Sequence, residues 1–215
     1  MNKILAFADT HADELFLDRL RQRVAKHKYD FFLVDGDLTA RGPVSYALEM
    51  IEILGAEKTF VVHGNMDDKK VIDAIENVSV HARKKQLGKL GYEIAGFGGS
   101  NPTPFGTPSE YVEEGIASAL EGLNITPKTI LMTHAPPYGY FDEVRENLHV
   151  GSKAILKIIE EKMPILNVCA HIHETEGIEK LGHTTIVKLP HGEKYRATDI
   201  ALEFPAKVKV GMVKL

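Results

Sequence analysis

The sequence predicts an α/β fold in which helices cover a parallel sheet. Two observations predict it. Up to residue 75, short apolar runs alternate with apolar residues at helical spacing, giving a β-α-β-α-β series. Beyond residue 180, helical spacing fades and short strand-like runs follow one another, which points to a second sheet with an antiparallel portion.

The elements follow in order. Residues 3–8 form a short apolar run and read as a strand. In 13–26, Leu15, Leu17, Leu20 and Val24 fall near helical spacing. Residues 31–34 give a second strand and 46–54 a second helix carrying Leu48, Ile51 and Leu54. A third strand is expected at 59–63 and a short helix at 69–75. A strand at 92–97 precedes a loop at 98–108 rich in Gly, Pro, Ser and Thr. Residues 110–120 read as a helix and 129–133 as a strand that runs into His134. The stretch 135–150, with its Pro-Pro pair, is a long loop of the kind that is usually functional when the domain is compact. Ser152 caps a helix to residue 162, and 165–170 is a strand that runs into His171. Strands at 184–188, 199–203 and 207–214 end the chain.

At 215 residues with 44% hydrophobic content, the chain suits one globular domain, 1–215. No apolar run approaches the ~18 residues of a membrane span. The run 4–8 is broken at once by Asp9, so it does not read as a signal peptide, and a cytoplasmic location is expected. The formal net charge of -4 gives no broad attraction to nucleic acid or anionic membrane. The single cysteine, Cys169, excludes an internal disulfide framework and a cysteine-only metal cage, and reads as a small buried apolar residue.

Residues with metal-binding chemistry recur just past the expected strands: Asp9 and His11, Asp37, Asn65, His134, then His171 and His173. Ligands of open α/β sheets bind beyond the carboxyl ends of the strands, so these side chains would converge on one cleft. Four imidazoles, two carboxylates and one amide suit Mn, Fe, Zn, Co or Ni better than the all-oxygen preference of calcium. They exceed the need of one tetrahedral ion and fit two ions, about 3.5–4 Å apart, sharing a bridging carboxylate. The glycines in Gly36-Asp37 and Gly64-Asn65 are expected to allow sharp turns. Asp-x-His or His-x-His alone carries little weight; the ordered set carries it, because buried Asp and His need partners.

Together Asp9-Thr10-His11, Gly36-Asp37, Gly64-Asn65, His134 and Ala170-His171-Ile172-His173 resemble the calcineurin-like metallophosphoesterase family, over the chain from its first strand to at least His173. The resemblance implies a four-layer α/β/β/α sandwich with the metals at the edge between two sheets. It implies that Asp9, His11, Asp37 and His173 hold one ion, that Asp37, Asn65, His134 and His171 hold the other, and that Asp37 bridges them. Ala170 stands where the family usually has glycine. Met66 and Ala40 stand where the phosphatase branch of the family has a His–Asp pair, which removes that branch's general-acid help to the leaving group.

Outside the ligand set, Arg41 stands where the phosphatase branch carries a phosphate-binding arginine; a solvated loop arginine is the competing account. Asp67 could touch the site, while Asp68 suits a helix N-terminus. His149 is the best remaining histidine for substrate contact, and the neighbouring Ser152 suits a plain cap. Asn101, Tyr138 and Tyr140 lie in the two unusual loops and could line a pocket, with ordinary packing as the competing account. His63 is expected to pack at its strand end, and His27, His81, His183 and His191 to be structural or exposed.

The expected activity is hydrolysis of a small-molecule phosphodiester or phosphomonoester by in-line attack of a metal-bridging hydroxide, with diesters favoured and manganese the first choice of metal. A nuclease of the same family and a non-catalytic protein-binding scaffold of the same fold are the alternatives. Oligomeric state is not legible in the sequence.

Overall fold

A computed structural model describes residues 2–88, 91–203 and 207–215. The first half runs β1 (Asn2–Phe7), α1 (Glu14–Lys26), β2 (Phe31–Asp35), α2 (Val44–Leu54), β3 (Thr59–Val62) and α3 (Lys69–Ala74). It continues through β4 (Arg83–Gln86), β5 (Glu93–Phe97), α4 (Glu113–Glu121) and β6 (Thr129–Thr133). A small hairpin, β7 (Glu143–Arg145) and β8 (Leu148–His149), precedes α5 (Lys153–Lys162) and β9 (Leu166–Cys169). Then come β10 (Gly177–Leu181), β11 (Thr184–Lys188), β12 (Arg196–Glu203) and β13 (Lys207–Lys214).

Helix boundaries follow local chemistry. Asp13 accepts the main-chain N–H groups of Leu15 and Phe16 and so starts α1, while Arg23 and Lys26 sit in its last turn, where the helix dipole favours cations. Asp68 caps α3 through the Val71 N–H, and Ser152 caps α5 through the Ile155 N–H. Ser152 therefore serves as the plain cap expected of it.

Two mixed sheets carry the fold. The first has the order β13-β12-β1-β2-β3 and the second β10-β11-β9-β6-β5-β4. β1, β2 and β3 are parallel, as are β5, β6, β9 and β11. Strand alternation divides the side chains into three cores. Ile4, Ala6 and Leu33 face Ile130, Met132, Leu166 and Val168 between the sheets. Leu5, Phe7, Phe32 and Val34 pack outward on Phe16, Leu20, Tyr46 and Met50 of α1 and α2. Ala95, Phe97 and Leu131 pack outward on Ile116, Leu120, Ile155 and Ile159 of α4 and α5. Three apolar interfaces separate four layers, which is the α/β/β/α sandwich.

Some expectations need correction. The last two strands do not build the second sheet; β12 pairs antiparallel with β1 and β13 with β12, extending the first. The loop 135–150 contains the β7–β8 hairpin. The helix expected from residue 110 starts at Glu113, because Glu110 instead accepts hydrogen bonds from Thr103 and Thr107. β4, of sequence RKKQ, and β10, of sequence GIEKL, are antiparallel edge strands, and neither contains an apolar run that would announce it. Among the described residues no helix is long and apolar enough to cross a membrane.

Candidate metal centre

Five parallel strands end at one edge of the two sheets, and each delivers polar side chains there. Asp9 and His11 follow β1, Asp37 follows β2, and Asn65 follows β3. His134 follows β6, while His171 and His173 follow β9. The backbone is bent hard to present them: Asp9, His11, Asp37 and His171 all have left-handed φ, at 53°, 46°, 47° and 72°. Such conformations cost about 1 kcal/mol or more each and persist only where surrounding bonds enforce them. Here Asp9 N–H donates to Gly36 O, His11 N–H to Asp37 O and Ala12 N–H to Leu38 O, at 2.9–3.0 Å, lacing the loop after β1 to the loop after β2.

The two motif glycines play different parts. Gly36 has φ 89°, so the turn itself requires glycine. Gly64 has no such φ; its Cβ would run into the Asp37 carboxylate and main-chain N, so it provides space for close approach rather than a turn.

The donor atoms form overlapping groups. Asp9, His11 and Asp37 bring one donor atom each within 4.8 Å of one another, as do Asp37, His134 and His171. A third such group is His11, His173 and His191. Asp9 Oδ1 and His11 Nε2 are buried without a hydrogen-bond partner. Orphaned donors of oxygen and imidazole nitrogen fit divalent cations of intermediate hardness.

The electrostatics favour a cation at the same point. His134 Nδ1 donates to the Asp35 carbonyl at 2.7 Å, which leaves Nε2 aimed at oxygens: Asn65 Oδ1 at 3.1 Å and Asp37 Oδ2 at 3.5 Å. A carbonyl fixing the far nitrogen of a histidine is the usual support of a metal ligand. Burial opposes charge on His134, yet Asp37, Asp9 and Asp35 push its pKa up to about 10. Burial opposes ionisation of Asp9 too, but His173, whose Nε2 lies 3.8 Å from Oδ1, and the positive fields of His134 and Lys188 hold it well below the carboxylate range. His171 is pushed down to about 3 by burial and by His134, so its imidazole stays neutral and free to ligate.

A cavity of about 690 Å³ opens over this cluster. His11, Asp37, Asn65, His171 and His173 reach it at the base. Its walls are largely apolar: Pro102, Pro104 and Phe105 from the loop after β5, and Val144, Leu148 and Val150 from the hairpin segment. Phe105 is 82% exposed, so an aromatic ring stands open to solvent at the mouth.

The remaining expected residues separate. Arg41 lies on the cavity wall, and among the described residues its guanidinium has no hydrogen-bond or ion-pair partner. Asn101 also lines the cavity. Asp67 does not; it is wholly buried and accepts from Leu38 N, Thr39 N, Thr39 Oγ1 and Gly64 N, tying together the loops that carry Asp37 and Asn65. His149 is placed away from the cavity: Leu148 and Val150 line it, while His149 Nδ1 sits 2.7 Å from Asp142 Oδ1. Tyr138 packs against His149 with the rings tilted by 56°, and neither it nor Tyr140 is on the cavity wall. His63 and His81 pack in an aromatic cluster with Phe97 and Tyr111.

Some residues of the site escaped the sequence. His191 is 7% exposed beside His11 and His173 rather than remote from them. Thr107 accepts the Asn65 amide N–H at 3.0 Å. Glu174 stands on the cavity wall. Lys188 and Asp35 are fully buried in the field of Asp9. A lysine inside the apolar run Thr-Ile-Val-Lys-Leu and an aspartate closing Phe-Phe-Leu-Val-Asp were the available signals, since buried charge needs a reason.

The profile of the calcineurin-like phosphoesterase family matches residues 2–175. An uncharacterized protein of Methanocaldococcus jannaschii is 35% identical over 206 residues, covering 92% of this chain and 91% of its own length. A solved structure from Thermus thermophilus superposes with a TM-score of 0.73 at 19% identity, covering 98% of both chains. A dimetal phosphatase from Danio rerio superposes with a TM-score of 0.64 at 9% identity, covering 99% of this chain and 98% of the other. The last two establish likeness of fold alone. By its sequence profile, which spans most of its length, the chain belongs to the calcineurin-like phosphoesterase family, a family of metal-dependent hydrolases acting on phosphate esters.

Proposed function

We propose that residues 1–215 act as one domain that hydrolyses a small-molecule phosphodiester at a dinuclear centre. Asp9, His11, Asp37 and His173 would hold one ion, and Asp37, Asn65, His134 and His171 the other. The observation that carries this is the membership of Asp37 in two donor groups, Asp9–His11–Asp37 and Asp37–His134–His171, as a bridging carboxylate requires. When bound, two such ions supply an ionised water as nucleophile and neutralise charge on the phosphate. Manganese is the first choice for the mixed oxygen and imidazole set.

The protein's own groups would do the rest. Arg41, unpaired at the cavity edge, would grip a nonbridging phosphate oxygen. Asp67 would hold the Asp37 and Asn65 loops in register through its four accepted bonds. The apolar walls would take the organic substituents of the ester and exclude water around the phosphorus. Room for organic groups, with a single guanidinium on the wall among the described residues, supports a diester over a monoester dianion. The same apolar lining, with the formal charge of -4, gives a nuclease less support. The test is turnover of bis-nitrophenyl phosphate against nitrophenyl phosphate by manganese-loaded protein. Faster release from the diester is expected; release from the monoester alone would overturn the preference, and release from neither would overturn the activity.

A further inference from the structure

We propose that His191 is an eighth ligand of the centre, serving the ion held by His11 and His173. The proposal rests on the dinuclear reading above.

The placement follows the rule that governs the other ligands. β11 runs parallel to β9, so its carboxyl end reaches the same edge as the strands that present His134 and His171. His191 lies just beyond that end, after Lys188, Leu189 and Pro190. The turn that carries it is docked on the first ligand loop: Gly192 N–H donates to Asp9 O at 3.2 Å. A Cβ at Gly192 would stand 2.9 Å from Thr10 Cα and closer still to Asp9 O, so glycine is what lets the two backbones meet.

The ring is aimed rather than merely nearby. His191 is 7% exposed, and its Nε2 is buried with no hydrogen-bond partner. Its Nδ1 lies 3.7 Å from Glu193 Oε2, beyond hydrogen-bond distance, so no contact of the ring competes for Nε2 among the described residues. Ring centroids place His191 3.7 Å from His173 and 5.5 Å from His11, with His11 and His173 5.5 Å apart. One nitrogen from each ring comes within 4.8 Å of the others. Imidazole–metal bonds of about 2.1 Å put neighbouring ligand nitrogens roughly 3 Å apart, so small ring rotations close the set. A buried imidazole nitrogen without a partner costs free energy that a bound cation recovers.

The test reads metal rather than turnover. Metal-free wild type, His191→Ala and His191→Phe are titrated with Mn²⁺ by calorimetry and with Co²⁺ in the visible spectrum. The phenylalanine variant keeps a ring in the packing. Both variants are expected to bind one of the two ions about 10–100-fold more weakly, the scale on which support of a metal site is lost. The cobalt bands of that ion should shift while those of the other stay. Unchanged affinities with an unchanged cobalt spectrum in the phenylalanine variant would overturn the proposal. If wild type takes up a single ion, the dinuclear reading falls, and the effect of His191→Phe on that one ion still decides the role of His191.

Discussion

The side-chain amide of Asn65 donates to Thr107 Oγ1 at 3.0 Å, and Thr107 donates in turn to Glu110 Oε1 at 2.6 Å. The chain of bonds fixes the amide with its nitrogen outward and its oxygen 3.1 Å from His134 Nε2, facing the donor cluster. A threonine in the loop after β5 thus sets the direction of a ligand on the loop after β3.

Thr107→Val keeps the shape and removes the acceptor. The Asn65 amide is then free to turn, and the ion served by Asn65 and His134 should bind about 10-fold more weakly. Thr107→Ser should restore most of the affinity. Calorimetric titration with Mn²⁺ checks this; equal affinity in wild type and Thr107→Val would show that Asn65 needs no such support.

Asp37 Oδ1 accepts the Met66 N–H at 2.8 Å, while Oδ2 faces His134. Asp37→Asn can keep the first bond and so the loop, but loses the charge. Both ions should bind more weakly, and turnover should fall at least about 100-fold, since even outer support of a metal site is worth 10–100-fold. Elemental analysis after reconstitution, beside the turnover rate, checks it. Two ions retained at full activity would remove Asp37 as the bridge.

His81 makes stability depend on pH. Its Nδ1 accepts the Gly98 N–H at 2.9 Å, a role open only to the neutral ring. Burial pushes its pKa down to about 4, aided by the charge of Arg83. The unfolded chain then binds the extra proton below about pH 6.5, while the folded chain resists it down to about 4. The contribution is complete above pH 6.5 and is lost as pH falls through that window, by at most about 1.4 kcal/mol per pH unit for one proton. His81→Asn keeps an acceptor and removes the titration. Urea midpoints of metal-free protein between pH 4.5 and 7.5 should fall less steeply for the variant; parallel curves would exclude His81 from the linkage.

How much of this was legible in the sequence depends on what each signal required. The parallel strands are buried on both faces, so runs such as Phe-Phe-Leu-Val announced them. The edge strands β4 and β10 carry no such run. Which sheet β12 and β13 join depends on pairing with β1 across almost the whole chain, which local pattern does not encode. The ligand positions stood out because Asp, Asn and His fell after strands in order. His191 did not, because it stands alone after Leu-Pro, and its partners His11 and His173 come from distant loops. His149 looked well placed by its loop, yet strand alternation turned Leu148 and Val150 to the cavity instead.

The leaving group gives the last prediction. Proton donation to a departing oxygen is typically worth 10²–10⁴-fold. Met66 lines the cavity and cannot donate, and Ala40 is exposed outside it. Asp67 is no substitute, because both its oxygens accept hydrogen bonds within the loops and it is wholly buried. His149 is paired with Asp142 away from the cavity wall. Turnover should therefore fall steeply as the pKa of the leaving phenol rises across a series of substituted phenyl phosphodiesters, measured under single-turnover conditions so that chemistry is observed. A flat series would mean that a donor is present. Glu174, among the described residues the one carboxyl side chain on the cavity wall beyond Asp37, would then be the residue to examine. In that event Glu174→Gln should make the series steep again, whereas a series that stays flat in Glu174→Gln would assign proton delivery to solvent within the cavity.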